Sequence, residues 1–308
     1  MAELNVHAGL NISNTKLQLV EIFGTQGEVC LDNLNEIVFA EPIYFKSDRD
    51  VKILSLLQVA LDEIRIKKPI KSRTLSFSLP LEMFHITQLP YDNTLLHRDI
   101  VEEFKWEYSV MFPHIKDEGI VIQYFEVEKN MIFTKNTALV YGIERKYLRL
   151  FNKLCEQNNF KLGHVDNVHL SSERALVLSN SCINNGFRLS VFISKNNLSI
   201  ILSLDGKPIS QKVYSHNNVD DILSVVQNEI SSFESKNLTA GLIQTAYITG
   251  ERIPDSLIKS LNARTGLDFI AFNPFDKLTV ALKIKENPLY LKRFNTFSPA
   301  AGIAYRIV

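Results

Sequence analysis

The feature that most constrains this chain is a succession of segments that occurs twice. In each half, three strand-like segments separated by turns precede an amphipathic helix and a short buried strand. The first half has them at 4–12, 15–23, 27–40, 50–66 and 75–79, and the second at 187–193, 198–204, 209–214, 218–234 and 245–249. The repetition predicts two α/β halves with one topology, which is a structural duplication rather than a solenoid repeat.

The remaining segments fill out this plan. Asp205-Gly206 is a strong hairpin signal between two strands of the second half. Pro274 and Pro288 bracket a stretch that we expect to be mobile or extended. Further helices are expected at 95–112, 144–158, 170–182 and 255–265, strands at 119–127, 136–143 and 267–272, and a helix rich in small residues at 300–308.

Composition excludes several classes of protein. A chain of 308 residues with 45% hydrophobic and 22% charged residues is an ordinary globular protein of about two domains. Because 34 basic residues balance 34 acidic ones, no net field attracts nucleic acid. The densest basic stretch, residues 65–73, is either a solvated helix end or a contact for an anionic surface.

The cysteines and the hydrophobic runs give the expected compartment. Cys30, Cys155 and Cys182 are sparse and form no CxxC pair, which argues against disulfides and zinc, and Cys155 and Cys182 are expected to be buried. The first residues lack the features of a signal peptide, and no run of about 18 apolar residues is present. The sequence therefore predicts a cytoplasmic protein.

Six short segments, in order along the chain, are similar to motifs of the PilM family of actin-like proteins, which serves type IV pilus assembly and is related to FtsA. None is specific alone, and it is their order from residue 10 to residue 306 that carries the resemblance. The segments are 10–22, 99–113 with its terminal Phe-Pro, 160–166 with 174–176, 246–251, Asn273-Pro274-Phe275, and 299–306.

The resemblance implies a fold and a division of the chain. The fold is α/β, an actin-like, ribonuclease H-like duplicated two-lobed fold with an inserted FtsA/PilM-type subdomain. Residues 1–72 and about 161–186 would form the first lobe, residues 73–160 the inserted subdomain and residues 187–308 the second lobe.

In that family two hairpin loops cradle phosphates with backbone N–H groups, and an aspartate in each loop organises Mg²⁺. In the first loop the aspartate is replaced by Asn11 and a glycine by Ser13, whose left-handed conformation would cost about 1–2 kcal/mol. In the second loop Phe192 replaces the aspartate and Ser194 the glycine. The adenosine loop keeps Gly250 but has Glu251 in place of a second glycine.

These departures favour a pseudo-ATPase with a vestigial nucleotide site. ATP and Mg²⁺ stay open as ligands, and the alternative is an active Mg-ATP-dependent ATPase that uses non-standard loop residues. Thr15, Lys16 and Lys195 are either remnants that contact phosphate or solvated turn residues. The vestigial site comprises Asn11, Ser13, Asn14, Thr15, Lys16, Ser194, Lys195, Gly250 and Glu251.

Two other clusters have weaker claims to chemistry. His164 and His169, with Asp166 between them, have a spacing that could bind a metal, but no third ligand is evident, and structural histidines are the alternative. Glu102, Glu103 and Glu107 are either paired carboxylates or, as we expect, a solvated helix face.

The family resemblance also implies a partner. PilM binds the cytoplasmic tail of an inner-membrane protein, so a PilN-like partner at the inner face of the inner membrane is expected here, with membrane association only through it. The aromatic residues Phe104, Trp106, Tyr108 and Phe112 would either line a peptide groove or belong to the core of the insertion. A carbohydrate- or peptidoglycan-related regulator of the same fold is a third option.

Overall fold

The structure is a computed structural model that describes residues 5–25, 28–113, 119–179, 185–251 and 253–307. Its strands form three sheets within these ranges. Among the described residues, no helix combines the length and apolar character needed to cross a membrane. Cys182 and the predicted end of a helix at 182 lie outside the described residues.

The strands include those predicted, and β5 and β14 in addition. They are β1 (Asn5–Ile12), β2 (Lys16–Thr25), β3 (Glu28–Val38), β4 (Thr74–Leu79), β5 (Phe84–Pro90), β6 (Ile120–Val127), β7 (Thr137–Glu144), β8 (Lys161–Asn167), β9 (Phe187–Ile193), β10 (Asn197–Leu204), β11 (Lys207–Ser215), β12 (Ile243–Gly250), β13 (Phe269–Ala271) and β14 (Thr279–Val280).

The helices of the described ranges are α1 (Asp50–Lys67), α2 (His97–Met111), α3 (Arg145–Gln157), α4 (Val168–Ser179), α5 (Val219–Glu234), α6 (Asp255–Thr265), α7 (Leu282–Lys285), α8 (Pro288–Arg293) and α9 (Ser298–Ala304). The stretch between Pro274 and Pro288, expected to be mobile or extended, contains β14 and the single-turn α7. Segments this short leave no periodicity in the sequence to detect.

The duplication predicted from the sequence is present in the sheets. The first sheet has the order β14-β3-β2-β1-β4-β8 and the second β11-β10-β9-β12-β13. In both, three antiparallel strands are followed by two that pair in parallel. The Asp205-Gly206 hairpin is confirmed, since both residues have positive φ, 50° and 79°, as a tight two-residue turn requires.

Two compact units divide the chain at other points than the predicted ranges. The first comprises residues 1–83, 147–181 and 272–308, and the second residues 84–146 and 182–271. The expected insertion, 73–160, therefore includes β4 and most of α3, which lie in the first unit. Strand β4 belongs to the first unit because it pairs in parallel with both β1 and β8.

In the first unit, helix α9 lies on the sheet face that carries Gly9. A Cβ at Gly9 would collide with the backbone of Ala300 and Ala304, and one at Gly302 would collide with the carbonyl of Ser171 in α4. Every residue of α9 is buried. The small-residue helix expected at the end of the chain is therefore confirmed, although it begins at Ser298 and ends at Ala304.

In the second unit, β5, β7 and β6 form a small separate sheet. Helix α2 covers one face of it, where Phe104 and Tyr108 join a core with Leu89, Ile120 and Val140. The Tyr108 hydroxyl donates to the carbonyls of His85 and Val140 at 2.8 and 3.1 Å. On the other face, the Tyr141 hydroxyl donates to Gln211 of β11 at 2.8 Å.

Candidate functional site

The first loop tip, between β1 and β2, is closed by its own serine. The Ser13 N–H donates to the carbonyl of Lys16 at 3.0 Å, and the Ser13 Oγ accepts the N–H groups of Thr15 and Lys16 at 3.3 and 3.2 Å. A serine hydroxyl that bonds to the backbone in this way stabilises a turn without glycine. Two N–H groups that could point at a phosphate therefore already have an acceptor.

A neighbouring segment holds the same tip in place. The Asn14 amide donates to the carbonyl of Ile43 at 2.9 Å, and the N–H of Ile43 returns a bond to the Asn14 carbonyl at 2.7 Å. The N–H of Phe39 donates to the Thr15 carbonyl at 2.8 Å. Backbone and side chain of the tip are thus used in structural bonds.

The second loop tip, between β9 and β10, has the same turn. The Ser194 N–H donates to the carbonyl of Asn197 at 2.9 Å, and the Ser194 Oγ accepts the Asn197 N–H at 3.2 Å. His216 adds a bond between its Nε2 and the Ser194 carbonyl at 3.0 Å. Lys195 is exposed at the tip.

These turns correct one expectation from the sequence. Neither Ser13 nor Ser194 is among the described residues with positive φ. The left-handed conformation expected at Ser13, and its strain, are therefore wrong. Because the hydroxyl closes the turn while φ stays outside the positive range, serine takes the place of glycine without strain.

The glycine of the predicted adenosine loop is explained by contacts inside the second sheet. Gly250 ends β12 with φ 116°, and a Cβ there would collide with the carbonyl of Ile193, the last residue of β9. The N–H of Glu251 donates to that same carbonyl at 2.7 Å. The pair Gly250-Glu251 therefore lies beside the second loop tip, and strand packing alone requires glycine.

A row of polar residues crosses the first sheet next to its loop tip. Residues opposite one another on adjacent strands point to the same face, so these side chains form a continuous line, here called the polar row. Every side chain in it is less than one-tenth exposed. Its members, from β3 through β2, β1 and β4 to β8, are Glu36, Gln18, Asn11, Ser78 and Asp166.

At one end of the polar row, Glu36 collects two cations. Arg293 donates to it at 2.5 Å and the Lys16 ammonium lies at 3.4 Å. Gln18 donates to Glu36 at 2.8 Å and accepts from Asn11 at 2.8 Å. Lys16, expected to contact phosphate or solvent, is instead buried in this ion pair.

At the other end, Asp166 pairs with Arg306 and lies 3.9 Å from the Arg174 guanidinium. Burial, outweighing the attraction of Asp166, lowers the pKa of Arg174. Burial and the neighbouring Arg306 lower the pKa of His164. In the middle of the row, Asn11 Oδ1 and Ser78 Oγ are buried and make no hydrogen bond with the described residues.

The polar row does not fit a magnesium ion, although magnesium is the metal that this loop position implies. Mg²⁺ prefers oxygen ligands of which one or two are carboxylates. The two carboxylates of the row, at its opposite ends, are both paired with cations already. Glu36 is bound by Lys16 and Arg293. Asp166 faces two guanidinium groups, from Arg174 and Arg306, so this end of the row is cationic.

Sequence reasoning singled out Asn11 but missed the polar row as a unit. Ser78, Glu36 and Gln18 are ordinary polar residues in strands, and only register places them beside Asn11. The available signal was the alternation of polar and apolar residues in β2 and β4, which puts Gln18 and Ser78 on one face each. It does not say which strands are neighbours.

His169 and Cys155 are buried, and His164 is half-buried. Among the described residues, no group of three or more His, Cys, Asp or Glu side chains could hold a metal. His169 is fully buried, and burial lowers its pKa to about 4. Cys155 is buried as expected, and burial raises its pKa to about 12. In the predicted acidic face, Glu102 forms an exposed ion pair with Lys105 at 2.6 Å.

The four aromatic residues predicted for a groove, here called the α2 aromatics although Phe112 directly follows the helix, separate into core and surface. Phe104 and Tyr108 are 0% and 1% exposed and belong to the core of the small sheet. Trp106, which is 63% exposed, points away from that core. Phe112 is partly buried, with its ring 4.4 Å from that of His85.

No protein-family model matches the sequence, and no curated protein matches it. Solved structures do match. A chain of the "PilM-PilN type IV pilus biogenesis complex" aligns with a TM-score of 0.76 and 14% identity, over 97% of this chain and 98% of that chain.

Two others are a Bacteroides thetaiotaomicron protein with an actin-like ATPase fold and unknown function (TM-score 0.52, 12% identity, 89% and 92% covered) and the ethanolamine utilization protein EutJ from Carboxydothermus hydrogenoformans (TM-score 0.52, 9% identity, 97% and 89% covered). The actin-like fold and its resemblance to PilM are thereby confirmed as a likeness of fold.

Proposed function

We propose that this protein is a cytoplasmic, actin-like scaffold of a type IV pilus or related secretion assembly. It would bind the cytoplasmic segment of a PilN-like inner-membrane protein and so lie at the inner face of the inner membrane. The support for the partner is the likeness of fold to a chain of the PilM-PilN complex along almost the whole sequence.

The choice of a scaffold over an ATPase depends on the two closed loop tips. In both, a serine hydroxyl occupies N–H groups that a phosphate would need. The aspartate positions hold Asn11, in a row whose end is cationic, and Phe192, which is buried and has no oxygen to offer. This geometry of the loop tips supports a pseudo-ATPase.

A thermal-shift titration with Mg-ATP tests the nucleotide side of the proposal. A ligand that binds only the folded state at 100 times its Kd stabilises it by about 2.7 kcal/mol. We expect no rise in melting temperature above about 1 °C at about 5 mM Mg-ATP, and no phosphate release. A rise of several degrees, with turnover that Asn11→Ala abolishes, would instead establish the alternative ATPase.

Co-purification from detergent-solubilised membranes of the source organism tests the partner side. Of the four α2 aromatics, Trp106 is the one most exposed to a partner, and large exposed aromatics are common anchors of interfaces. We expect a membrane-anchored protein to be recovered with the wild type and at least about fivefold less of it with Trp106→Ser.

The matched control for that experiment is Val51→Ser, because Val51 is 78% exposed on α1. It should retain the partner at the wild-type level. Recovery of no membrane-anchored protein by the wild type would refute the scaffold. Equal recovery by Trp106→Ser and the wild type would leave the scaffold standing and remove α2 from the interface.

A further inference from the structure

An open cavity of about 710 Å³ lies in the first unit, at the end of α1. Its walls include the residues that immediately precede β4 and β8, Arg73 and Phe160. The polar row lies near the carboxyl ends of these two strands, whereas the cavity lies at their amino ends. We call it the basic groove, and its lining residues are Asp62, Arg65, Ile66, Pro69, Ile70, Lys71, Ser72, Arg73, Asn158, Asn159 and Phe160.

The charge of the basic groove is concentrated. Residues 65–73 contain five cations and no acid, in a chain whose 34 basic and 34 acidic residues balance as a whole. Three of these cations, Arg65, Lys71 and Arg73, line the groove, together with one acid, Asp62. Lys68 and Lys71 hold Asp32 at 3.0 and 3.1 Å. Burial tends to raise the pKa of Asp32, but these two cations outweigh it and the net change is downward. Part of the positive charge is therefore structural.

The two arginines of the groove are engaged to different degrees. The Arg65 guanidinium is kept in place by Asn158 Oδ1 at 3.3 Å, by the ring of Phe160, whose centroid is 5.9 Å away, and by an exposed ion pair with Asp62 at 3.8 Å. Arg73 is exposed, and its side chain makes no hydrogen bond or ion pair with the described residues. An oriented guanidinium beside an unengaged one suits carboxylates, which arginine binds in a forked geometry.

Part of the groove wall is apolar. Ile66 is 84% exposed, an unusual position for an isoleucine, and Pro69, Ile70 and Phe160 continue the apolar surface into the groove. A ligand that fits this wall carries apolar groups as well as negative charge. A free inorganic anion would leave the wall uncovered, and a flat bilayer does not enter a concave groove.

We propose that the basic groove docks an acidic, extended segment of a partner protein, with acidic side chains on Arg65 and Arg73 and apolar ones on Ile66 and Ile70. The inference goes beyond the scaffold function, because it concerns a groove in the first unit, whereas the proposed PilN-like contact, Trp106, lies in the second. It holds or fails independently of whether a PilN-like protein binds.

Selection from a displayed library of random peptides tests this preference directly. The full-length wild type is immobilised, and Arg73→Glu serves for counter-selection. We expect the peptides that survive to be enriched in Asp and Glu alternating with apolar residues. Survivors without acidic enrichment, or no survivor that distinguishes the two proteins, would overturn the proposal.

The best surviving peptide is then synthesised with a fluorescent label for anisotropy titrations. Arg73→Glu should weaken its binding about tenfold, whereas Lys283→Glu, a reversal of an exposed cation that does not line the groove, should leave it within about twofold. Both variants should have the melting temperature of the wild type, because neither the Arg73 nor the Lys283 side chain bonds to another of the described residues. If both variants weakened peptide binding equally, the weakening would follow from the net charge of the protein, and this would contradict a specific groove.

Two further measurements locate the site and exclude the membrane. The methyl NMR signals of Ile66 and Ile70 should shift when the peptide is added, while that of Ile248, fully buried in β12, should not. Vesicles containing phosphatidylserine should not displace the peptide. Displacement by vesicles, or unchanged Ile66 and Ile70 signals, would count against a peptide groove.

Discussion

The two loop tips have the same backbone and different surroundings. Ser13 and Ser194 close identical turns, each bonding the residue three positions later. Next to the first tip, however, stands the polar row, with Asn11 two residues before the serine. At the matching position beside the second tip stands Phe192, buried at 4% exposure.

The difference extends across both sheets. Along the second sheet the residues in register with Phe192 are Ser199 on β10 and Thr249 on β12, and Val213 on β11 is opposite Ser199. The first sheet has ion pairs at both ends of its row, and the corresponding line in the second has no charged member. The duplicated topology has thus kept its turns, while the side chains beside them have diverged.

The two loop tips thus share their backbone geometry, whereas the side chains beside them differ in their chemistry. Both tips could present N–H groups, yet each serine uses them within the turn. A phosphate site needs the opposite arrangement, with N–H groups facing an anion and oxygen ligands nearby for a cation. Neither sheet provides that combination, for different reasons in each.

The largest effect is expected at Gly250. Replacement by alanine places a Cβ against the Ile193 carbonyl at a φ of 116°, so the second unit should lose about 4 kcal/mol or more of unfolding free energy. Gly266→Ala is the matched control, because its φ is also positive but nothing lies within 4 Å of the new Cβ. It should cost about 1 kcal/mol in urea unfolding. Equal costs would show that strand contact does not explain Gly250.

Glu36 tests whether the ion-paired end of the polar row stabilises the first unit. Glu36→Gln leaves Lys16 and Arg293 without their buried carboxylate, and breaking such a group costs about 3–5 kcal/mol. Glu41→Gln removes an exposed carboxylate 3.2 Å from Lys52 and should cost less than about 1 kcal/mol. Chemical denaturation of both variants measures the difference, and a cost for Glu36→Gln as small as the control would remove the row from the stability of this unit.

Acid should act on the first unit through His169. Burial keeps this histidine neutral in the folded state with a pKa of about 4, against about 6.5 when unfolded. The unfolded chain therefore binds the proton first as the pH falls, and stability is lost between about pH 6.5 and pH 4. From pH 8 to pH 5 this histidine alone should cost about 2 kcal/mol.

His169→Gln, which cannot titrate, should reduce the loss of stability between these two pH values by that amount, whatever its own stability at pH 8. The loss is read from urea unfolding of both proteins at each pH. An unchanged loss in the variant would assign acid sensitivity to other groups, of which His7 also has a pKa lowered chiefly by burial.

The smallest effect compares the two serines directly. Ser13→Ala removes an acceptor for two N–H groups and Ser194→Ala an acceptor for one, so each should cost about 1 kcal/mol and the first slightly more. Ser47→Ala, an exposed serine, should stay within about 0.5 kcal/mol of the wild type. If Ser13→Ala gained binding of Mg-ATP, the serine would be shown to be the element that closes this loop.

Most of the fold could be predicted from sequence because its signals are local and repeated. Helix α1 was predicted over 50–66 and observed at Asp50–Lys67, and the three opening strands of each half were all found. Strand β5 was missed, since its residues are mostly half-buried and lack a clear alternation. The predicted ranges place β4 in the insertion, whereas the strand lies in the first unit. Its pairing with β1 joins residues about 70 positions apart, and such a pairing leaves no local signal in the sequence.

For the candidate site, sequence alone determined the residue types: serine at both tips, Asn11 and Phe192 where aspartate is expected, and an exposed basic stretch at 65–73. Only the tertiary structure decided what these residues do. The Ser13 hydroxyl accepts N–H groups of its own turn, and Lys16 forms an ion pair with Glu36. Residues of the basic stretch and Phe160 line one groove. The reason is that hydrogen-bond partners and strand register are set by neighbours in space, which a linear pattern does not contain.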